Sequence, residues 1–389
     1  MRQLRRLACC LLVAPALAWA AERAPAPLPD ATAIDAEVAR LMSATQSKGL
    51  ALAVIDGGQI AYVHAYGLRN AAGDPLRDDT IMYGASLTKA VFAYTVMQLV
   101  EEGVLDLDTP ISRYLPKPLP EYTDNKGYGP YQDLAGDERW RQLTARHLLT
   151  HRSGFGNFAF LEPDGKLRFH FDPGTRYAYS GEGLILLQFV LERGLGLDVG
   201  QEMQKRSFDR FGMTRTSMKW RDDFAGNLAD GWTQQGEAVP HDERGRVRAA
   251  GSMDTSIADM ARFAAGYVRG EGLSAQGAAE LRRPQAPITT ASQFPTLQDE
   301  LPPAQRRADL AAGLGIVVFN GPQGAGFYKG GHDDSTGNTW VCVQRSQRCV
   351  VLLGNDVRSE NAFPALVRFV LGETGVPFAW EYGARTFVD

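Results

Sequence analysis

Strand-like sequence stands at both ends of this chain, and an antiparallel sheet that unites the two ends is the arrangement everything between them must accommodate. Leu50 to Ile55 and Ile60 to Tyr66 are apolar runs joined by Asp56-Gly57-Gly58, a tight-hairpin sequence. Gly313 to Phe319, a short run at Phe327-Tyr328, Thr339 to Gln344 and Arg348 to Leu353 repeat the character near the other end. An isolated hairpin is marginal in water, so the early pair needs further strands, and the late runs are the available ones. Helical periodicity marks Ile34 to Met42, Ala90 to Val100, Leu143 to His151, Ser180 to Leu191, Ile257 to Tyr267 and Ala362 to Leu371. Irregular stretches lie at Pro116 to Gly136 and Pro284 to Arg307. The expected class is α+β: an antiparallel sheet built from both chain ends, flanked by helices, with a mostly helical insertion. It forms a single unit over 34–389, with an α/β part at about 34–100 and 310–389 and a mostly helical part at about 101–309.

The chain has 389 residues, 44% of them hydrophobic, enough for a large core, and its formal charge is only -4. No dense block of lysine or arginine follows the first few residues, so neither nucleic acid nor an anionic membrane is an expected partner. Residues 1–20 read as an export signal: Arg2, Arg5 and Arg6, an apolar run from Leu7 to Leu17, then Ala18-Trp19-Ala20 as a small-x-small cleavage site. Residues 21–33, rich in alanine and proline, read as a flexible lead. An exported, periplasmic or secreted location is expected, with no stable membrane insertion once the signal is removed, because no later apolar run is long enough to span. Beyond the signal, the cysteines are Cys342 and Cys349. With Arg345-Ser346 at the centre of the turn they fall opposite each other, which predicts a cross-strand disulfide.

Ser86-Leu87-Thr88-Lys89 stands at the start of the apolar run from Ala90 to Val100. As the first turn of a helix it brings Ser86 and Lys89 onto one face. A hydroxyl is a poor nucleophile at neutral pH and needs a deprotonated base within hydrogen-bond reach, which a buried lysine can be. His147 and His151 read as structural, since no glutamate lies between them in a zinc-binding pattern and no third ligand is near.

With these residues in hand, the chain resembles the penicillin-recognising serine hydrolases, which include DD-peptidases, class C beta-lactamases and related esterases and D-aminopeptidases. The likeness runs from about Ile34 to Leu371. Ser86 and Lys89 match its first motif. Its second, a tyrosine, any residue, then asparagine after a proline-glycine turn, is matched by Pro173-Gly174 and by Tyr179-Ser180, but Gly181 stands in place of the asparagine. Its third, a lysine or histidine, a small residue and glycine on the strand lining the cleft, fits Gly330-Gly331-His332-Asp333-Asp334-Ser335-Thr336-Gly337 with His332 in the cationic position and Asp334 in place of glycine. An alternative register uses Lys329, Gly330 and Gly331. The resemblance implies a beta-lactamase/transpeptidase-like fold with the active cleft between its two parts.

It also implies a serine hydrolase working through an acyl-enzyme. Ser86 would attack, Lys89 and Tyr179 would share the proton transfers, the backbone N–H groups of Ser86 and Ser335 would stabilise the oxyanion, and His332 would assist substrate binding. The chemistry calls for no metal and no organic cofactor, nor for an obligate protein partner. Gly181 favours a small ester or peptide-like amide over efficient beta-lactam hydrolysis, and Phe155, Phe158 and Phe160 are candidates to line an acyl pocket. Cell-wall D-amino-acid peptides or beta-lactams are the alternative substrates, and a non-catalytic cell-wall sensor is the rival from another class.

Overall fold

The computed structural model describes residues 27–383 and 385–389. The expected export signal and residues 21–26 of the expected lead lie outside the described residues. The strands, in chain order, are β1 (Gly49–Asp56), β2 (Gln59–Gly67), β3 (Met82–Tyr83), β4 (Gly231–Trp232), β5 (Ala238–Val239), β6 (Asp254–Thr255), β7 (Ala286–Pro287), β8 (Leu310–Ala312), β9 (Val317–Gly321), β10 (Gly324–His332), β11 (Gly337–Val343) and β12 (Arg348–Gly354). The α-helices are α1 (Ala31–Thr45), α2 (Thr88–Glu101), α3 (Ala145–Leu149), α4 (Gly181–Phe189), α5 (Val199–Met203), α6 (Ile257–Arg269), α7 (Ala275–Arg282), α8 (Phe363–Leu371) and α9 (Phe378–Tyr382).

The main sheet runs β2-β1-β12-β11-β10-β9-β8-β7, every pair antiparallel. The two chain ends meet where β1, second from one edge, pairs with β12: Leu50 with Gly354 and Ile55 with Cys349. Both sheet faces are covered, so β1 is apolar throughout Leu50 to Ile55 and β12 throughout Cys349 to Leu353. Alternate residues divide between two cores: Ala51, Ala53, Ile55, Cys349, Val351 and Leu353 face the helical part, while Leu50, Leu52, Val54, Val350 and Leu352 face α1 and α8. Each such leucine or valine, fully buried, contributes about 1.5–3 kcal/mol.

Three details depart from the sequence reading. The first helix begins at Ala31, inside the expected lead, because the Asp30 carboxylate accepts from the Ala33 N–H at 2.8 Å and caps it. The Phe327-Tyr328 run belongs to a nine-residue strand, whose glycines conceal its alternation. Those glycines are required sterically: a Cβ at Gly326 would lie 2.3 Å from the ring of Phe319. Finally β7, the far edge of the main sheet, comes from within the stretch expected to be mostly helical. Cys342 and Cys349 pair directly across β11 and β12 and are joined by a disulfide.

Candidate active site

Ser86 sits in the single turn Ala85–Leu87 that leads into α2, preceded by Ala85 at φ 46°. That left-handed conformation costs a residue with a Cβ about 1 kcal/mol or more and is held by its surroundings. Thr88 Oγ1 donates to the Ala85 carbonyl at 2.6 Å and accepts from the Met253 N–H, while the Gly84 N–H bonds the Met253 carbonyl, so the turn is tied to the segment before β6.

Two side chains converge on the Ser86 hydroxyl. Lys89 Nζ lies 2.9 Å from Oγ, and the Tyr179 hydroxyl donates to the same oxygen at 2.8 Å. Lys89 also donates to the Ala250 carbonyl at 2.5 Å and lies 4.9 Å from the centre of the Tyr179 ring. It is only 1% exposed. Burial, then the charge of Lys329, hold its pKa well below the ordinary lysine value, so the amine is available as a base. Burial raises Tyr179, against the partial offset of its bond to Ser86, so the phenol keeps its proton. Tyr179 is braced by His151, whose ring lies 4.5 Å away and whose Nδ1 meets the Ser180 main chain; burial keeps that imidazole neutral.

On β10 the side chain that lies against Tyr179 is Lys329, while His332 also borders the cavity. Lys329 and Gly331 point to the face that carries Ser86 and Tyr179: Lys329 Nζ lies 5.3 Å from the Tyr179 ring centre, and a Cβ at Gly331 would stand 2.9 Å from the backbone nitrogens of Ser86 and Leu87. His332, an odd number of residues further on, turns to the other face, toward Glu360 at 3.4 Å and the ring of Phe294 at 5.8 Å. Burial opposes its charged form, but the Glu360 carboxylate outweighs this and raises its pKa.

Ser335 does not reach the site. Its N–H and hydroxyl both donate to Asp333 Oδ1 in the turn between β10 and β11, and it is not among the residues lining the cleft. Asp334, exposed in the same turn, carries its carboxylate into solvent. The ladder instead turns another group toward Ser86. The Asp333 N–H bonds the Thr336 carbonyl, so alternation directs the main-chain groups of Gly330 and His332 away from β11, to an edge where β9 has already ended. The His332 main-chain N–H and that of Ser86 therefore face one space, an arrangement able to hold an oxyanion.

These residues line a cavity of about 820 Å³ with Asn157, Phe158, Phe160, Arg244, Arg246, Arg248, Gln293, Phe294 and Glu381. Phe158 and Phe160 stack at 5.1 Å and form one wall; Phe155 lies in the core against Phe169. The space beside Gly181 belongs to Phe158, whose ring would be 2.2 Å from a Cβ there. Asn157 is fixed alongside, its Oδ1 accepting from the Gly181 N–H at 2.9 Å and its carbonyl from the Glu182 N–H. Sequence reasoning missed Asn157, Phe294, Glu381 and the arginines; the alternation Arg244-Gly-Arg-Val-Arg248 was the one visible signal. Among the described residues no cluster of three or more His, Cys, Asp or Glu is placed to hold a metal, and no helix is long and apolar enough to cross a membrane.

Several known proteins are similar to this chain. Esterase EstB of Burkholderia gladioli is 36% identical over 138 residues, 35% of this chain and 32% of that protein. Lovastatin esterase of Penicillium rubens is 30% identical over 200 residues, 44% of this chain and 49% of that protein. The match thus spans about a third to a half of these relatives' length. The octameric penicillin-binding protein homologue of Pyrococcus abyssi superposes with a TM-score of 0.68 at 20% identity, over 87% of this chain and 77% of its own, and shares the fold. The sequence model of the Beta-lactamase family matches residues 34–371, and with that span matched the chain belongs to the Beta-lactamase family.

Proposed function

We propose that this protein is a serine hydrolase that cleaves small esters through an acyl-enzyme on Ser86. The observation that carries the reading is the pair of contacts on one hydroxyl: a buried lysine with lowered basicity at 2.9 Å and a protonated tyrosine at 2.8 Å. Lys89, neutral, takes the Ser86 proton as Oγ attacks the carbonyl carbon. The tetrahedral oxyanion rests on the N–H groups of Ser86 and His332. Tyr179 gives its proton to the departing alcohol and is reprotonated from Lys89. Water then attacks the acyl carbon, giving its proton back through the same pair, and Ser86 is released.

An ester substrate is favoured by the apolar wall of Phe158, Phe160 and Phe294 around the cleft mouth and by the likeness to two proteins named as esterases. Beta-lactams and D-amino-acid peptides are poorer candidates, because the space beside Gly181 is filled by a ring. The Cys342–Cys349 disulfide fits an exported, periplasmic or secreted enzyme. The test is a panel of chromogenic esters with mass spectrometry of the trapped acyl-enzyme. Turnover should fall by roughly 10³-fold or more in Ser86→Ala, and the acyl mass should map to the peptide containing Ser86. Unchanged activity in that variant would sink the proposal.

A further inference from the structure

The family match ends at residue 371, yet the cleft contains a side chain from beyond it. Glu381, on the short helix α9, is 4% exposed and lines the same cavity as Ser86, Lys89, Tyr179 and Lys329. Its carboxylate lies directly on β10: a Cβ at Gly330 would come within 2.2 Å of Oε1. Glycine at 330 is therefore what admits the carboxylate between Lys329 and Gly331. The Tyr328 hydroxyl donates to Oε2 at 3.3 Å, and α9 is anchored by Trp380, whose indole N–H donates to the Thr290 carbonyl.

We propose that Glu381 is a positioning residue for the hydrolytic site, the buried counter-charge that keeps Lys329 an ammonium beside Tyr179 and Lys89. This rests on the serine-hydrolase reading above. An ammonium this deep needs a carboxylate, since an isolated buried charge is costly. The other acids lining the cavity, Asp242 and Glu243, are exposed at its rim. Burial pulls Lys329 down to about 8, and Glu381 is the charge that opposes the fall. Lys329 in turn holds down Lys89 and His151, the other cationic groups on its side of the strand. On the far side Glu381 faces His332, Glu360, Tyr177, Tyr328 and Tyr382, and Arg385 lies against Glu360. Burial raises the Glu381 carboxyl, and the charge of Lys329, followed by that of His332, opposes the rise, so the two buried groups support each other's charged forms.

The experiment is the pH profile of kcat/KM for a chromogenic ester with full-length wild type, Glu381→Gln, Glu381→Asp and Gly330→Ala. In wild type the alkaline limb should reflect loss of the Lys329 charge. In Glu381→Gln that limb should move toward acid by about one pH unit, with Glu381→Asp between the two. Gly330→Ala, which pushes the carboxylate aside without removing it, should move the limb in the same direction and serves if Glu381→Gln does not fold. A fall in rate with the limb unmoved in these variants would reduce Glu381 to packing and overturn the proposal. NMR titration of ¹³C-lysine in a Ser86→Ala background reads the Lys329 charge without turnover. An acid shift of that resonance in Glu381→Gln is expected, and no shift overturns the proposal. Absence of ester turnover by wild type would instead sink the serine reading.

Discussion

The ring of Phe158 occupies the volume that a side chain at position 181 would need: a Cβ built on Gly181 falls 2.2 Å from the ring's Cζ. The two residues are locked in this relation by the hydrogen bonds that hold Asn157 to the start of α4. Glycine here is thus one half of a packing exchange in which an aromatic wall replaces a polar side chain next to Tyr179.

Gly181→Asn should therefore destabilise the protein by about 1–3 kcal/mol through overpacking. Phe158→Ala in the same chain should recover much of the loss, a non-additivity that denaturant unfolding of the two single variants and the double variant would reveal. Additive losses would mean that the ring and position 181 do not compete.

The acid limb of the activity profile belongs to Lys89. Because burial, then the charge of Lys329, lowers its pKa well below the ordinary lysine value, activity should rise with pH through the Lys89 value and level on the acid side of where a free lysine titrates. Lys89→Arg, which stays charged, should lose roughly 10²–10⁴-fold in kcat. An acid limb that persists in Lys89→Met would assign it to another group.

Gly331 touches the site with its backbone alone. Gly331→Ala would place a methyl 2.9 Å from the nitrogens of Ser86 and Leu87, where an oxyanion has to sit. The expected outcome is a fall in kcat of roughly 10²–10³-fold. Substrate binding measured on Ser86→Ala should change far less.

The disulfide closes a short loop, its cysteines seven apart in sequence. Replacing both Cys342 and Cys349 by serine should cost about 2.5 kcal/mol on the chain-entropy account. Proteolysis without reduction should give a peptide spanning both residues that carries no alkylatable thiol; two labelled thiols would show an open hairpin.

What could be read from the sequence depended on whether a contact leaves a local trace. The hairpin at Asp56-Gly57-Gly58 and the strands flanking the Cys342–Cys349 turn carry their own periodicity, so the sheet joining both chain ends was legible. Ser86 and Lys89 are three apart on one turn, and Tyr179 follows the Pro173-Gly174 turn. The register of β10 was not legible. A strand with glycine at 324, 326, 330 and 331 shows too few side chains to mark which face is which, so the sequence allowed two registers and favoured His332, whereas the side chain found against Tyr179 is Lys329. Ser335 was drawn in by the same shift of three residues. Asn157 and Glu381 left no signal, since each is brought to the cleft by contacts with residues distant in sequence.

The pairing of β1 with β12 also sets when the molecule can first act. Residues synthesised early include Ser86 and Lys89, but the strand that completes their sheet ends at Gly354, and the carboxylate we assign to the cleft comes later still. A nascent chain leaving the ribosome therefore carries Ser86 and Lys89 as inert side chains through nearly all of its synthesis. Contacts between positions this far apart also slow folding, because the loop they close must be ordered before the pairing repays it. The hydrolytic competence we propose would be acquired only once β12 has paired with β1, so a product truncated before Gly354 should be silent.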